Sequence, residues 1–116
     1  MKALTVRQPH AGRIVSGTKP VEYRTWSTAY RGLLVIHAAK ALDEHDCQAG
    51  VTYDVSCIVG AVDLVDVRDL GGGEWGWVLA RPRLLLEPVD CSGRLGLWDV
   101  ERALPPAVIS KLSALW

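Results

Sequence analysis

The sequence lacks a net charge, phenylalanine and any long hydrophobic run, and these absences exclude several classes of protein. Thirteen basic residues balance thirteen acidic ones among 116 residues. This balance disfavours duplex DNA as a partner, because non-specific duplex binding needs many unopposed cations. No stretch approaches the ~20 apolar residues of a membrane span, and the first residues contain no apolar segment of signal-peptide length. We therefore expect no membrane partner.

Cysteine is also scarce, and the chain has only Cys47, Cys57 and Cys91. An odd number without a C-x-x-C spacing argues against both a disulfide framework and a zinc site. The acidic segment Asp43–Asp46 is predicted to lie on a helix over 39–50. Successive side chains of a helix point ~100° apart and do not converge on a metal ion. The sequence thus predicts reduced thiols, a cytoplasmic protein, no metal site and no cofactor.

Hydrophobic content of 49% in 116 residues indicates a single domain over residues 1–116 with a modest core. Hydrophobic periodicity predicts strands at 3–6, 21–26, 33–38 and 56–67, and two further strands at 75–79 and 83–89 that break at Arg81-Pro82. Short helices are predicted after Pro9 and after Pro105. Five or six short strands interleaved with short helices predict an α+β fold, a closed or half-closed β-barrel with flanking helices.

The segment Gly17–Trp26 concentrates charge, with Lys19, Glu22 and Arg24 spread over six residues. Period-two alternation places Glu22, Arg24 and Trp26 on one face of a strand. Lys19 is out of that register and joins Glu22 only if the chain bends near the preceding glycine. Two interpretations remain open, a structural ion pair and a set of charges that holds a ligand.

Six blocks of the sequence form an ordered set, namely residues 4–9, 17–24, 31–38, 58–64, 76–79 and 95–98. The second block reads G-x-K-x-x-E-x-R, with Gly17, Lys19, Glu22 and Arg24 at the defined positions. Together the blocks cover nearly the whole chain and resemble the ASCH domain, a branch of the PUA-like superfamily. The resemblance implies a small PUA-like β-barrel of five or six strands, with flanking short helices and a cleft that the second block lines.

The same resemblance implies a range of functions. PUA-like proteins are associated with RNA, and ASCH domains have been proposed to bind RNA in translation-linked or regulatory roles. One branch removes the acetyl group from acetylated cytidine, and another cleaves RNA. This sequence departs from the deacetylating branch, which has threonine at the position of Glu22. It also departs from relatives that have tryptophan at the position of His10.

The main hypothesis from the sequence is an RNA- or nucleotide-binding domain. Cations would contact phosphate, Gln8 and Glu22 would hydrogen-bond base edges, and the indole of Trp26 or Trp75 would stack on an unpaired base. Single-stranded RNA or a free nucleotide suits this set better than a duplex, because bases must be splayed apart to be read in this way. The candidate binding residues are Arg7, Gln8, Lys19, Glu22, Arg24, Trp26, Arg31 and Trp75.

The alternative is a metal-independent hydrolase that acts on RNA or on a modified nucleoside such as acetylated cytidine. Lys19 would keep the Glu22 carboxylate ionised as a general base, and a cation would stabilise the developing negative charge. His37 would serve as a second acid or base, although it is equally consistent with a core histidine at the end of a buried strand. A protein-interaction module is the third hypothesis. The sequence leaves enzyme activity and oligomeric state open.

Overall fold

The computed structural model describes all 116 residues and contains six strands and two α-helices. Their bounds are β1 Lys2–Val6, α1 His10–Val15, β2 Val21–Arg24, β3 Gly32–Ala38, β4 Cys57–Gly71, β5 Glu74–Asp90, β6 Leu97–Asp99 and α2 Pro106–Leu115. A 3-10 turn at Val100–Arg102 precedes α2. Neither α-helix has the length and apolar character needed to span a membrane. The predicted α+β class is confirmed.

The six strands form one mixed sheet in the order β2-β5-β4-β3-β1-β6. β1 and β3 run parallel, and every other neighbouring pair is antiparallel. The edge strands β2 and β6 contain only four and three residues, and they do not pair with each other. The sheet is therefore open rather than a closed barrel, and polar side chains gather at the opening beside β2.

Apolar side chains cover both faces of the sheet, as the apolar run of β3 predicts. Leu34 and Ile36, on one face of β3, belong to a core cluster that includes Ile14 of α1. Val35, on the other face, belongs to a second cluster that includes Leu112 of α2. The two helices thus cover opposite faces of the sheet, which is the middle layer of the fold.

β4 and β5 form a long hairpin with the triple glycine Gly71–Gly73 at its tip. The predicted break at Arg81-Pro82 is wrong, because β5 continues through these residues with a left-handed φ of 48° at Arg81. Four register shifts interrupt the β4–β5 ladder and bend the hairpin. One lies at Gly60, where a Cβ atom would stand 2.1 Å from the Arg83 carbonyl oxygen and 2.8 Å from Val15. Only glycine fits there.

The segment between β3 and β4 contains turns rather than the predicted helix over 39–50. Contacts with the residues after β1 fix its path. Asp43 donates its backbone N–H to the Gln8 carbonyl at 2.8 Å, and the Gln8 side chain donates to the Asp54 carbonyl at 3.0 Å. These contacts bring the acidic part of the segment beside α1.

Candidate functional site

A cleft of about 620 Å³ lies at the opening of the sheet, between β2 and the carboxyl end of β1. The segment after β3 and the loop before β6 complete its walls. The cleft contains Lys19, Glu22 and Arg24, which we call the cleft triad. The bend that returns Lys19 to Glu22 begins at Gly17, whose φ of 88° disfavours any residue with a Cβ atom.

The Glu22 carboxylate is the centre of the cleft triad. Its Oε1 accepts from Lys19 Nζ at 3.0 Å and from the Tyr23 backbone N–H at 3.2 Å. Its Oε2 accepts from Arg24 Nη2 at 2.9 Å. The Glu22 side chain is only 7% exposed, whereas those of Lys19 and Arg24 are 20% and 22% exposed. A buried carboxylate with two cationic partners fixes those cations in the cleft.

Arg24 reaches from β2 to the opposite wall of the cleft. Its Nη2 also donates to the Thr5 carbonyl oxygen at 3.0 Å, so the guanidinium links edge strand β2 with β1. Its Nε is buried without a hydrogen-bond partner, and both of its hydrogen bonds use Nη2. Because a guanidinium carries five N–H donors, Arg24 retains the capacity to bind an anion through Nη1.

Lys19 is held from its other side by His10, a residue that no pattern in the sequence places in the site. Lys19 Nζ lies 3.1 Å from His10 Nδ1. His10 Nε2 lies 2.9 Å from Asp43 Oδ2 and 3.1 Å from Asp46 Oδ2. An ammonium can only donate, so Nδ1 accepts and the ring proton is assigned to Nε2. The hydrogen bond from His10 is the main cause that lowers the pKa of Asp43.

His10, Asp43 and Asp46 also offer donor atoms of the kind that bind metals, and these atoms lie within 4.8 Å of one another. A metal ion on His10 Nε2 would force the ring proton onto Nδ1, where it would face the Lys19 ammonium. The group therefore fits a hydrogen-bonded ion-pair network better than a metal site. This network connects the carboxylates, through His10, to Lys19.

Of the other predicted cations, the structure brings Arg7 into the cleft and leaves Arg31 outside it. Arg7 is exposed and lines the cleft, and its side chain makes no hydrogen bond or ion pair. Arg31 donates to two carbonyls of its own turn and lies 3.9 Å from Asp66, as a structural turn residue would. Arg94, which is not among the predicted binding residues, forms part of the cleft wall.

Gln8 and His37 are buried, and neither lines the cleft. Gln8 holds two backbone groups with its side-chain amide, and its burial keeps it away from a base in the cleft. His37 Nε2 lies 2.6 Å from the Cys91 carbonyl oxygen, and its Nδ1 lies 3.3 Å from Thr5 Oγ1. Burial lowers the pKa of His37, although the Cys91 hydrogen bond opposes that shift. His37 instead lines a second pocket beside the cleft.

The positions of the aromatic side chains differ most from those that the sequence predicts. Trp26 lies beyond the end of β2 and packs edge-on against buried Trp77, with ring centroids 4.8 Å apart. Trp75 packs against the same core. Tyr23, which alternation assigns to the face away from the triad, is 53% exposed and lines the cleft. The Lys19 ammonium lies 5.9 Å from the centre of its ring. Tyr23 is therefore the aromatic side chain that the cleft offers for stacking.

Comparison with known protein sequences gives two matches. The ASCH domain family matches residues 4–88. Activating signal cointegrator 1 from Homo sapiens is 34% identical over 79 residues, and this match covers 54% of the chain and 14% of the human protein. The chain thus corresponds to a small part of the length of that relative.

Solved structures show the same fold. The crystal structure of ASCH from Zymomonas mobilis aligns with a TM-score of 0.64 at 16% identity, covering 98% of this chain and 94% of that chain. A mutant of the Zymomonas protein aligns with a TM-score of 0.64 at 15% identity, covering 98% and 96% of the two chains. At this level of identity the likeness shows the fold alone. Because the family match spans most of the sequence, the chain belongs to the ASCH domain family.

Proposed function

We propose that this ASCH domain binds single-stranded RNA or a nucleotide in the cleft, through phosphate and an unpaired base. One observation carries the proposal. Only two carboxylates line the cleft, and each is already hydrogen-bonded by a basic side chain. Such a local excess of positive charge, in a chain of zero net charge, favours an anionic ligand. The cations that line the cleft are Arg7, Lys19, Arg24 and Arg94.

Two members of the cleft triad keep donors for a ligand. Lys19 has three N–H donors and uses two of them, on Glu22 and His10. Arg24 keeps Nη1, since its two hydrogen bonds use Nη2. A phosphate group can accept from several such donors at once. Because Glu22 fixes the donors before the ligand arrives, the entropic cost of binding is reduced.

Tyr23 supplies a contact that is specific to a base. Its exposed ring, beside Lys19, can stack on an unpaired base, a contact worth ~1–3 kcal/mol. The bases of a duplex already stack on one another, so this contact favours a single strand or a free nucleotide. The association of PUA-like domains with RNA supports RNA as the polymer.

Arg7→Ala is the sharpest test, because Arg7 is exposed and has no partner whose loss would disturb the fold. We expect it to weaken the binding of a labelled single-stranded RNA about five- to tenfold at low salt. We also expect the slope of log affinity against log salt to fall by ~0.7, the value for one phosphate contact in a single strand. Lys111→Ala, which removes an exposed cation of α2, is the control and should change neither quantity.

Lys19→Ala and Arg24→Ala should weaken RNA binding as well. Because these residues also support the cleft triad, the fraction of folded protein must be measured for each variant by circular dichroism. Unchanged RNA affinity in all three cleft variants would exclude RNA binding in the cleft and would leave the protein-interaction hypothesis.

His10 favours a second candidate function, the metal-independent hydrolysis of RNA or of a modified nucleoside such as acetylated cytidine. His10 contacts Lys19 within the cleft, and two carboxylates orient its ring, as an acid–base group requires. Turnover that persists in EDTA and is lost in His10→Gln would support hydrolysis. Turnover by wild-type protein no greater than that of His10→Gln would exclude hydrolysis of these substrates.

A further inference from the structure

A second pocket, the side pocket, lies next to the cleft. It has a volume of about 400 Å³ and shares Thr5, Arg94 and Leu95 with the cleft. Because these residues line both hollows, the cleft and the side pocket adjoin at the segment Arg94–Leu95. A ligand that occupies both must pass over this segment.

The lining of the side pocket has the chemistry of a phosphate and sugar site. Lys40 and Arg94 supply positive charge, the side chains of Thr5, Ser56 and Ser92 supply hydroxyl groups, and no carboxylate lines the pocket. Lys40 is exposed and takes part in none of the ion pairs of the protein. Arg94 donates only to a backbone carbonyl, that of Arg102, at 3.2 Å. Both cations are therefore free to pair with an external anion.

The wall formed by His37 is fixed rather than adaptable. Both ring nitrogens of His37 lie within hydrogen-bond distance of protein groups, and the ring packs edge-on against Trp98 at 5.6 Å. Gly93 lies so close that a Cβ atom would stand 2.8 Å from the His37 ring. His37 thus shapes the side pocket and engages the Thr5 hydroxyl group, and the two cations and the hydroxyl groups of Ser56 and Ser92 remain to contact a ligand.

We propose that the side pocket binds the phosphate and ribose of the nucleotide next to the one in the cleft, so that the ligand is a strand of at least two nucleotides. This inference rests on the proposed function and adds the minimum length of the ligand. The linking phosphate is the 5′-phosphate of the nucleotide in the cleft, and it lies near Arg94, at the junction of the two hollows. Lys40 pairs with the terminal 5′-phosphate of the nucleotide in the side pocket, and the serine hydroxyl groups hydrogen-bond its phosphate and sugar oxygens.

A length series tests this proposal. Affinities are measured for uridine 5′-monophosphate and for 5′-phosphorylated oligouridylates of two, three and four nucleotides. For wild-type protein we expect affinity to rise about five- to tenfold on going from one nucleotide to two, as one additional charge-assisted contact provides. In Lys40→Ala this rise should fall below about twofold, while the affinity for the mononucleotide stays unchanged. Lys111→Ala should behave as wild type.

A second variant, Ser92→Asp, places a carboxylate in the side pocket at an exposed loop position. It should abolish the rise with length by repelling the second phosphate, again without an effect on the mononucleotide. If affinity rises equally with ligand length in wild type, Lys40→Ala and Ser92→Asp, the side pocket is not a binding site. If wild-type protein binds the mononucleotide as tightly as the oligomers, the side pocket is likewise not a binding site, and the proposed function stays intact. If wild-type protein binds none of these ligands or longer single-stranded RNA, the proposed function itself fails.

Discussion

Replacing Glu22 with glutamine tests whether its buried carboxylate holds the cleft triad together. Glu22→Gln keeps the size of the side chain but introduces a neutral amide, whose NH₂ group must face one of two cations. Removing one partner of a buried ion pair costs ~3–5 kcal/mol. Lys19 and Arg24 are 20% and 22% exposed, so water replaces part of the lost interaction. We therefore expect the free energy of unfolding to fall by about 2–3 kcal/mol.

Urea denaturation measures this loss directly, and the thermal midpoint should fall by roughly 10 °C. Glu87→Gln is the matched control, because Glu87 is exposed and forms no ion pair. It should change the free energy of unfolding by less than about 0.5 kcal/mol. Introducing Lys19→Met into wild-type protein and into Glu22→Gln completes a double-mutant cycle. Loss of Lys19 should lower the free energy of unfolding less in Glu22→Gln than in wild type, with a coupling energy of ~1–2 kcal/mol.

The same variant also reports on the anion-binding capacity of the cleft. In Glu22→Gln, Lys19 and Arg24 lose their internal anion. Inorganic phosphate should therefore raise the thermal midpoint of the variant more than that of wild type at matched ionic strength, since a bound anion stabilises only the folded state. A loss of stability below about 0.5 kcal/mol, together with an additive double variant, would refute this reasoning. It would mean that water already satisfies both cations.

Three further predictions concern the fold, its pH dependence and the base contact. Gly60→Ala should destabilise the protein by about 3 kcal/mol or more, because its Cβ atom would stand 2.1 Å from a backbone oxygen. Gly72→Asn at the open hairpin tip is the control, and equal denaturation midpoints would contradict the packing. The lowered pKa of His37 means that the unfolded chain takes up a proton first as the pH falls below about 6.5. Wild-type stability should therefore decline in that range more steeply than that of His37→Gln. Parallel pH profiles of the two proteins would show that His37 does not cause the decline. Tyr23→Ala should weaken single-stranded RNA binding by ~1–3 kcal/mol with little change in the thermal midpoint, and full affinity would exclude stacking on this ring.

Local pattern accounts for the parts of the fold and site that lie within one element. The apolar run of β3 is buried on both faces as predicted. Alternation along β2 places Glu22 and Arg24 together, and the bend at Gly17 brings in Lys19. Each of these contacts is set by backbone geometry within a few residues, and sequence patterns predict such local geometry.

Contacts between distant loops are not recorded in such patterns. His10 meets Asp43 because the segment after β3 is held by the Gln8 carbonyl, a contact between residues more than thirty positions apart that has no periodic signal. Alternation assigns Tyr23 to the opposite face, but β2 is an edge strand beside the opening of the sheet. Side chains on both faces of such a strand can reach the cleft. The edge position could not be derived from alternation alone.

The contact from Arg24 to the Thr5 carbonyl is a side-chain link between β2 and β1 across the opening of the sheet. Along the rest of the sheet, neighbouring strands are kept at a fixed spacing by ladders of backbone hydrogen bonds, whereas a flexible side chain spans this gap. An anion that binds Nη1 restrains the same guanidinium, so binding in the cleft and the relative motion of β1 and β2 become linked. Backbone amides of β1 and β2 beside the opening should accordingly change their hydrogen-exchange rates when phosphate is added.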